Sequence, residues 1–273
     1  MKKMTLSLAA VVATMAFGSA VAQSGGVSLL DGLSEKSSTE RVAAPRMESQ
    51  APVIEEQSSP TFFEFDIASP IQLPIEQHDV SGLRLGLFWG DSLTLKGVDI
   101  SLLGAAGLVN MYGLEYSLFN SVSRDTRGLQ IGVLGNYVGL SFVGAQISAF
   151  LNMNTDDSTG FELACVNNNS GFVGGQIGAI CNWNSGAASG IQLSSIINRG
   201  LNSYSGLSIS AINLTPRFSG CQIGIFNIAS DMGAGLQLGL FNAAGDLTGL
   251  QIGVMNFNGT SVVPTLPVIN ANF

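Results

Sequence analysis

Hydrophobic and polar residues alternate in short stretches that recur along most of the chain. The clearest copies are Gly220–Asn227 (GCQIGIFN), Gly235–Asn242 (GLQLGLFN) and Gly249–Asn256 (GLQIGVMN). In each copy the second, fourth and sixth places are apolar or small, the third is polar, and the fifth is tiny. A period of two is typical of a β-strand, whose successive side chains point to opposite faces. Each unit is therefore predicted to contain one strand with an apolar face and a polar face.

The unit repeats at intervals of 14 to 16 residues, and such a repeat decides the fold. The units begin at Gly82, Gly97, Gly113, Gly128, Gly144, Gly160, Gly174, Gly190, Gly206, Gly220, Gly235 and Gly249. The third place is polar in every unit, and the fifth is always Gly, Ser or Ala. Turn-forming Gly, Ser, Asn and Asp residues follow the strand. The chain is thus predicted to be an all-β array of tandem units.

One strand per unit is compatible with two architectures, an antiparallel β-barrel and a parallel β-solenoid. A solenoid coil must also point residues inward from its second half, which an apolar core would require to be apolar. The second halves at 121–127 (SVSRDTR), 154–159 (NTDDST) and 184–189 (NSGAAS) are polar. Charged residues also concentrate in the turns after alternate units, as expected when an up-and-down meander places its turns at two rims. Both observations favour the barrel.

Strand length and the chain ends point the same way. Counted from two residues before the Gly, each strand has roughly ten residues, and a membrane β-strand needs about 9–11. The alternating stretch 62–67 is a candidate first strand, and 267–273 is a candidate last strand that ends in an aromatic residue. With twelve units between them, the fold predicted is an antiparallel up-and-down β-barrel of about 14 strands. The parallel β-solenoid stays open as the alternative, because equal spacing is also expected of a solenoid.

The N-terminal part differs from the repeats. Lys2 and Lys3, the apolar stretch 6–17 and the Ala-Val-Ala at 20–22 have the arrangement of a secretory signal peptide. Residues 23–60 are rich in Ser, Glu, Gln, Ala and Pro and lack periodicity, which predicts a disordered acidic linker. The predicted domains are therefore the signal at 1–22, the linker at 23–60 and the repeat β domain at 61–273.

The composition excludes several classes of protein. Only 11% of the residues are charged and 46% are hydrophobic, which is too apolar for a disordered chain. After the N-terminus no run of 18 apolar residues occurs, so no mature transmembrane helix is expected. The net charge is −8 and no basic patch is present, which argues against nucleic acid as a partner.

Candidate chemistry is sparse. His78 is the only histidine, it lies in a polar stretch, and we expect it to be a solvated loop residue. Asp156 and Asp157, near Asn152 and Asn154, lack the spacing of a calcium loop and are expected to form a polar turn. The three cysteines, Cys165, Cys181 and Cys221, have no metal or redox spacing and are expected to act as small hydrophobic residues. The protein is predicted not to be an enzyme, with no catalytic, cofactor-binding or metal residues.

The repeated unit, Gly-Leu-Gln-Ile-Gly-Leu-x-Asn, resembles that of a largely uncharacterised family of bacterial surface-repeat proteins. The lead-in at 69–90 and the closing segment at 266–273 resemble the flanks of the repeats in that family, whereas the unit at 97–112 lacks the Asn. The resemblance implies a cell-envelope location, at the outer membrane or cell surface of a Gram-negative-type bacterium.

Two functions follow from the two architectures. The first is an integral outer-membrane β-barrel with a structural or narrow-pore role, whose partners are outer-membrane lipid and the barrel-assembly machinery. The alternative is a surface-displayed β-solenoid with a binding or adhesion role.

Overall fold

The computed structural model describes residues 60–68, 71–73, 78–88 and 90–273. The predicted signal peptide and nearly all of the predicted linker lie outside these residues. Within the described part the chain is all-β: fifteen strands form one sheet, and no helix is present. Accordingly, no helix in that part is long and apolar enough to cross a membrane. The strands are β1 Thr61–Ala68, β2 Ile71–Leu73, β3 Val80–Gly86, β4 Ser92–Ser101, β5 Gly104–Val122, β6 Thr126–Val138, β7 Phe142–Ser148, β8 Leu151–Asn154, β9 Ser158–Asn169, β10 Phe172–Asn184, β11 Ala188–Ser194, β12 Ile197–Gly200, β13 Ser203–Ile209, β14 Ile212–Asn258 and β15 Thr265–Asn272.

Successive units pair in parallel, with the same place of each unit in register. The first-place Gly144 pairs with Gly128 on one side and Gly160 on the other, and the third-place Gln146 pairs with Gln130 and Glu162. Both β7 and β8, which belong to one unit, pair with β6 and with β9. Each unit is thus one coil with an A strand, which carries places one to five, and a B strand after the bend. The chain winds as a parallel β-solenoid of about 11 turns.

The prediction of an antiparallel barrel of about 14 strands is therefore wrong, and the solenoid alternative describes the fold. In an up-and-down barrel neighbouring strands run antiparallel, whereas here consecutive units run parallel. The turns do not alternate between two rims either. The amide of Leu140 donates to the carbonyl of Arg124 at 3.0 Å, and that of Gly186 donates to Ser170 at 2.5 Å, so turns of consecutive coils stack along one edge.

The direction in which each place faces agrees with the alternation. Gln146 and Ser148, in the third and fifth places, are buried, whereas Ala145 and Ile147 beside them are partly exposed. In the B strand of the same coil, Asn152 and Asn154 are buried. The coil closes on polar side chains from both strands. The polar segments that favoured the barrel, such as 154–159 and 184–189, lie mostly in exposed turns that follow the B strands, and the interior of each coil is itself largely polar, so this polarity does not exclude a solenoid.

A smaller apolar column completes the interior near the turns that follow the B strands. It comes mainly from the residues two before the first-place Gly, where Phe142, Phe172 and Phe218 are almost fully buried. Tyr204 stacks on Phe218 with ring centroids 5.8 Å apart. This column buries large side chains in a stack, so the apolar contribution to folding comes from one side of the cross-section.

Both ends of the solenoid finish with a strand that runs antiparallel to its neighbour. The predicted first strand forms as β1, which lies parallel on β3, and β2 then returns antiparallel on β1. The predicted last strand forms as β15, antiparallel on β14. Val268 in β15 has a positive φ of 70°, which bends this edge strand. Reversal and irregularity at an edge oppose further strand addition, so these strands act as caps.

Candidate functional site

A ladder of asparagines runs through the interior of the B strands. Each Nδ2 donates to the Oδ1 of the asparagine in the next coil at 2.7 to 3.3 Å, from Asn120 through Asn136, Asn152, Asn167, Asn182, Asn198, Asn213, Asn227 and Asn242 to Asn256. The second Nδ2 hydrogen goes to a backbone carbonyl of the following A strand, as from Asn182 to Leu193 at 2.8 Å. The ladder therefore ties A strand to B strand and coil to coil, with its donors satisfied.

A second ladder follows the third place of the A strands. Gln146 donates to Gln130 at 2.7 Å, and Gln130 donates to the carboxylate of Glu115 at 2.7 Å. Gln192 donates to Gln176 at 2.7 Å, and Gln176 donates to Glu162 at 3.0 Å. Amide side chains suit such stacking because each has both a donor and an acceptor. A carboxylate interrupts the donor chain because it only accepts.

Two buried carboxyls therefore mark weak points in an otherwise neutral ladder. Glu162 is fully buried and accepts from Asn154, Asn169 and Gln176 at 2.7 to 3.0 Å. Burial raises its pKa to about 7, against the lowering effect of those hydrogen bonds. Burial, with the nearby Asp99, raises the pKa of Glu115 to about 8. Burial thus shifts both groups towards the neutral acid compared with a solvated carboxyl.

Replacing Glu162 by Gln is expected to stabilise the protein above neutral pH and to flatten its pH dependence. A carboxyl whose pKa is about 7 when folded and 4.5 when free contributes stability below pH 4.5, and this is lost as the pH rises through 7. At pH 9 the loss at this site is about 3 kcal/mol, which Glu162→Gln should recover. Urea unfolding of the parent and the variant at pH 4.5, 7 and 9 measures this pH dependence of the free energy of unfolding.

The reverse change supplies the control for this prediction. Gln176→Glu adds a carboxylate at a buried place next to Glu162 in the ladder and should steepen the loss of stability with rising pH. If Glu162→Gln and the parent gave superimposable pH profiles, the buried carboxyl would not be the source of the dependence.

The N-terminal coils hold a buried ion cluster in place of the amide ladder. Arg84 donates to Asp66 at 2.7 Å, to Asp99 at 3.1 Å and to the carbonyl of Gly90 at 2.7 Å. Glu64 accepts from the hydroxyl of Ser92 at 2.7 Å. Such a cluster is stable only while every partner is present, because breaking a buried pair strands a charge.

His78 also belongs to the surroundings of this cluster. His78 lies in a loop as expected, but the expectation that it is solvated is wrong: only 4% of it is exposed, and its Nε2 lies 3.4 Å from Glu64. The Ser92 hydroxyl hydrogen-bonds to Glu64, and all three residues are buried. The trio therefore lacks the accessible hydroxyl that nucleophilic catalysis needs.

The acidic residues, asparagines and cysteines considered in the sequence analysis differ in their burial. Asp156 and Asp157 lie in an exposed turn as expected, but Asn152 and Asn154 belong to the buried ladder. The cysteines are free and half-buried; burial raises the thiol pKa of Cys181 and Cys221, which lowers their reactivity at neutral pH. Across the described residues, no group of three or more His, Cys, Asp or Glu is arranged to hold a metal ion.

The outside of the solenoid carries the most unusual feature, an apolar surface formed by the A strands and the bends that follow them. The apolar surface consists of the outward second and fourth places of each coil and of the bend residues between the fifth place and the ladder Asn. Its most exposed members are Leu87, Phe88, Ile100, Leu102, Leu103, Tyr116, Phe119, Val133, Phe150, Phe161, Leu163, Ile180, Ile191, Ile196, Ile225, Phe226, Leu240, Phe241, Ile252, Val254 and Met255. Neighbouring members stack along the axis, as Phe226 and Phe241 do with ring centroids 5.0 Å apart.

Charges are kept away from the apolar surface. None of the second, fourth or bend places among the described coils holds Asp, Glu, Lys or Arg. The exposed charges instead lie along the edge where the B strand turns into the next A strand, at Arg124, Asp156, Asp157, Arg217, Asp231 and Asp246, and at the start of two A strands, at Lys96 and Arg127, two residues before the outward second place. The exterior is thus amphipathic around its circumference, with an apolar side and a charged edge.

A groove of about 250 Å³ lies close to the charged edge and is lined by Tyr204, Phe218, Arg217, Asp231 and neighbouring small residues. Ligand pockets usually have about 300–1,000 Å³. The groove is small by that standard, and its only charged lining residues have opposite signs, so the apolar surface is the stronger candidate site.

The fold places the chain in the class of parallel β-solenoid proteins. Comparisons of the chain with protein-family models, with curated proteins and with solved structures found no match. The resemblance of its 15-residue unit to a bacterial surface-repeat family stays a prediction.

Proposed function

We propose that this protein is a non-enzymatic binding module, a β-solenoid displayed on the bacterial surface that holds protein partners on its apolar surface. The fold overturns the integral outer-membrane barrel and favours this alternative. Export is supported by the predicted signal peptide at 1–22 and by the resemblance to surface-repeat proteins. The barrel-assembly machinery was expected only on account of the barrel and is not carried into the proposal.

The size of the apolar surface is the observation that carries the proposal. With coils about 4.8 Å apart, 11 turns extend over about 50 Å. Within one coil, the six places from the second place to the second bend residue span about 16 Å. The surface therefore covers about 800 Å², whereas the largest apolar patch of a typical monomer is about 300–600 Å². Contiguous patches above that range mark interaction sites.

The polar core explains how a thin solenoid keeps this surface in one shape. The Asn and Gln ladders fix coil against coil through side-chain hydrogen bonds at 2.7 to 3.3 Å, in addition to the backbone pairing. A rigid surface loses little conformational entropy on binding, which favours affinity. The ladders are the scaffold in this proposal, and the outward side chains are the contact residues.

Adhesion of cells that express the protein tests the proposal. The double variant Leu240→Lys/Val254→Lys places two charges on the apolar surface, at side chains that are 50% and 65% exposed. We expect it to reduce adhesion to a hydrophobic surface and cell–cell aggregation at least tenfold. External protease should digest the unmodified protein on intact cells, because a surface-displayed protein is accessible to it.

The matched control changes two apolar residues on the opposite, B-strand side, in the coils that begin at Gly220 and Gly249. Ile228→Lys/Phe257→Lys alters side chains that are 40% and 42% exposed and should leave adhesion at the parental level. Protection of the parent from external protease, or unchanged adhesion with Leu240→Lys/Val254→Lys, would contradict the proposed function.

A further inference from the structure

We infer that the partner on the apolar surface is a second copy of this chain, packed side by side about a twofold axis. The inference rests on the proposed function, because it names the partner of the same surface. The spacing, area and charge of that surface and the caps at the solenoid ends all favour this partner.

The spacing of the surface is complementary to itself. Every coil presents the same outward places in register with those of its neighbours, as Leu207 pairs with Cys221 and Ile209 with Ile223. Two copies related by a twofold axis across the solenoid axis therefore present equal spacings to each other, coil for coil. Sheet faces pack at about 10 Å when their side chains interdigitate, and isologous contacts are the commonest in homo-oligomers.

The area of the surface is what a stable dimer requires. The estimate of about 800 Å² per copy equals the contribution of one partner to a standard specific interface. The outward places are Leu, Ile, Val, Phe and other uncharged residues throughout the described coils, so burial leaves no unpaired charge. The interface would resemble the apolar core of a sheet sandwich.

The charge distribution disfavours a lipid surface as the occupant. Segments that lie on membranes place Lys and Arg beside their apolar face to attract anionic lipid. Here the chain has 11 basic and 19 acidic residues, and the charged edge of the solenoid mixes both signs. Nothing in the described exterior forms a basic rim around the apolar surface.

The caps restrict how copies can associate. Antiparallel β2 and β15 cover the first and last coils, and β15 is bent at Val268 and contains Pro267. Proline and bends on an edge strand oppose pairing with another chain. Growth along the axis is therefore blocked at both ends, and association is directed to the side of the solenoid.

Sedimentation velocity of the purified full chain at about 1 to 50 µM tests the inference. We expect a dimer for the parent and for Ile228→Lys/Phe257→Lys, and at least tenfold weaker association for Leu240→Lys/Val254→Lys. Circular dichroism checks that each variant keeps its β-structure. Cys221 lies in an outward second place of the apolar surface, so its alkylation should be at least threefold slower in the dimer than in the monomeric variant.

Several results would overturn the second copy as partner. They are a monomeric parent, open-ended oligomers, equal loss of the dimer in both double variants, or equal alkylation of Cys221 in dimer and monomer. A monomeric parent that sediments with neutral phosphatidylcholine vesicles would indicate a lipid partner instead. If adhesion depends on Leu240 and Val254 while the parent is monomeric, the proposed function stands and only this inference fails.

Discussion

The variant Gly144→Ala is expected not to fold into the solenoid. Gly144 has a φ of +146°, and an added Cβ would lie 1.9 Å from the carbonyl oxygen of Gly128 in the preceding coil. That oxygen belongs to backbone held in register by the neighbouring strands, so it cannot move aside as a flexible side chain could. Strained backbone and the clash together should cost more than about 4 kcal/mol, seen as loss of the β signal in circular dichroism and of soluble protein.

A glycine at a different place of another unit gives the control for this variant. Gly175 occupies an outward second place, where an added Cβ would meet only Phe161 at an ordinary 3.4 Å. The equivalent place in another coil is already Ala145. Gly175→Ala should therefore fold normally and unfold within a few degrees of the parent. Normal folding of Gly144→Ala would show that the glycine stack is not required.

The repeated unit could be predicted from the sequence because each place has one environment in every coil. The Gly spacing gave the coil length, and the alternation gave the direction of each side chain: Gln146 faces inward and Ile147 outward, as the pattern indicates. Period-two alternation depends only on strand geometry, which is the same in a barrel and in a solenoid. It therefore identified the faces without identifying how strands pair.

The parallel pairing does not follow from the sequence pattern because the B strands direct polar residues inward. In 151–154 (LNMN) and 181–184 (CNWN), asparagines alternate with larger residues, which is itself the signature of a second strand. A lone buried amide is costly, so inward asparagines argue against a core when one unit is considered alone. The cost disappears only when the coil above and the coil below supply partners, and those contacts lie 14 to 16 residues away along the chain.

The candidate site was visible in part. The alternation predicts an apolar face for each strand, but an apolar face would equally suit the lipid-facing side of a barrel. The segregation of charge is also visible in the sequence, because charged residues such as Arg124, Asp125, Asp156 and Asp157 concentrate in the turns. These charged residues are more frequent in alternate turns, but the turns of consecutive coils stack along one edge of the solenoid. The uneven distribution of charge therefore does not separate two rims.

Asn167→Leu is expected to destabilise the solenoid by at least about 3 kcal/mol, although Leu is apolar and close in size. Asn167 donates to the carbonyl of Ile177 at 3.0 Å and to Asn182 at 2.8 Å, and it accepts from Asn152 at 3.0 Å. Leu would leave these three buried groups without this partner, each at about 1–3 kcal/mol. The free energy of urea unfolding measures the loss.

The next residue supplies the control: Asn168 points outward and is half-buried, so Asn168→Leu should change stability by less than about 0.5 kcal/mol. Equal losses for Asn167→Leu and Asn168→Leu would mean that the Asn ladder does not hold the coils together.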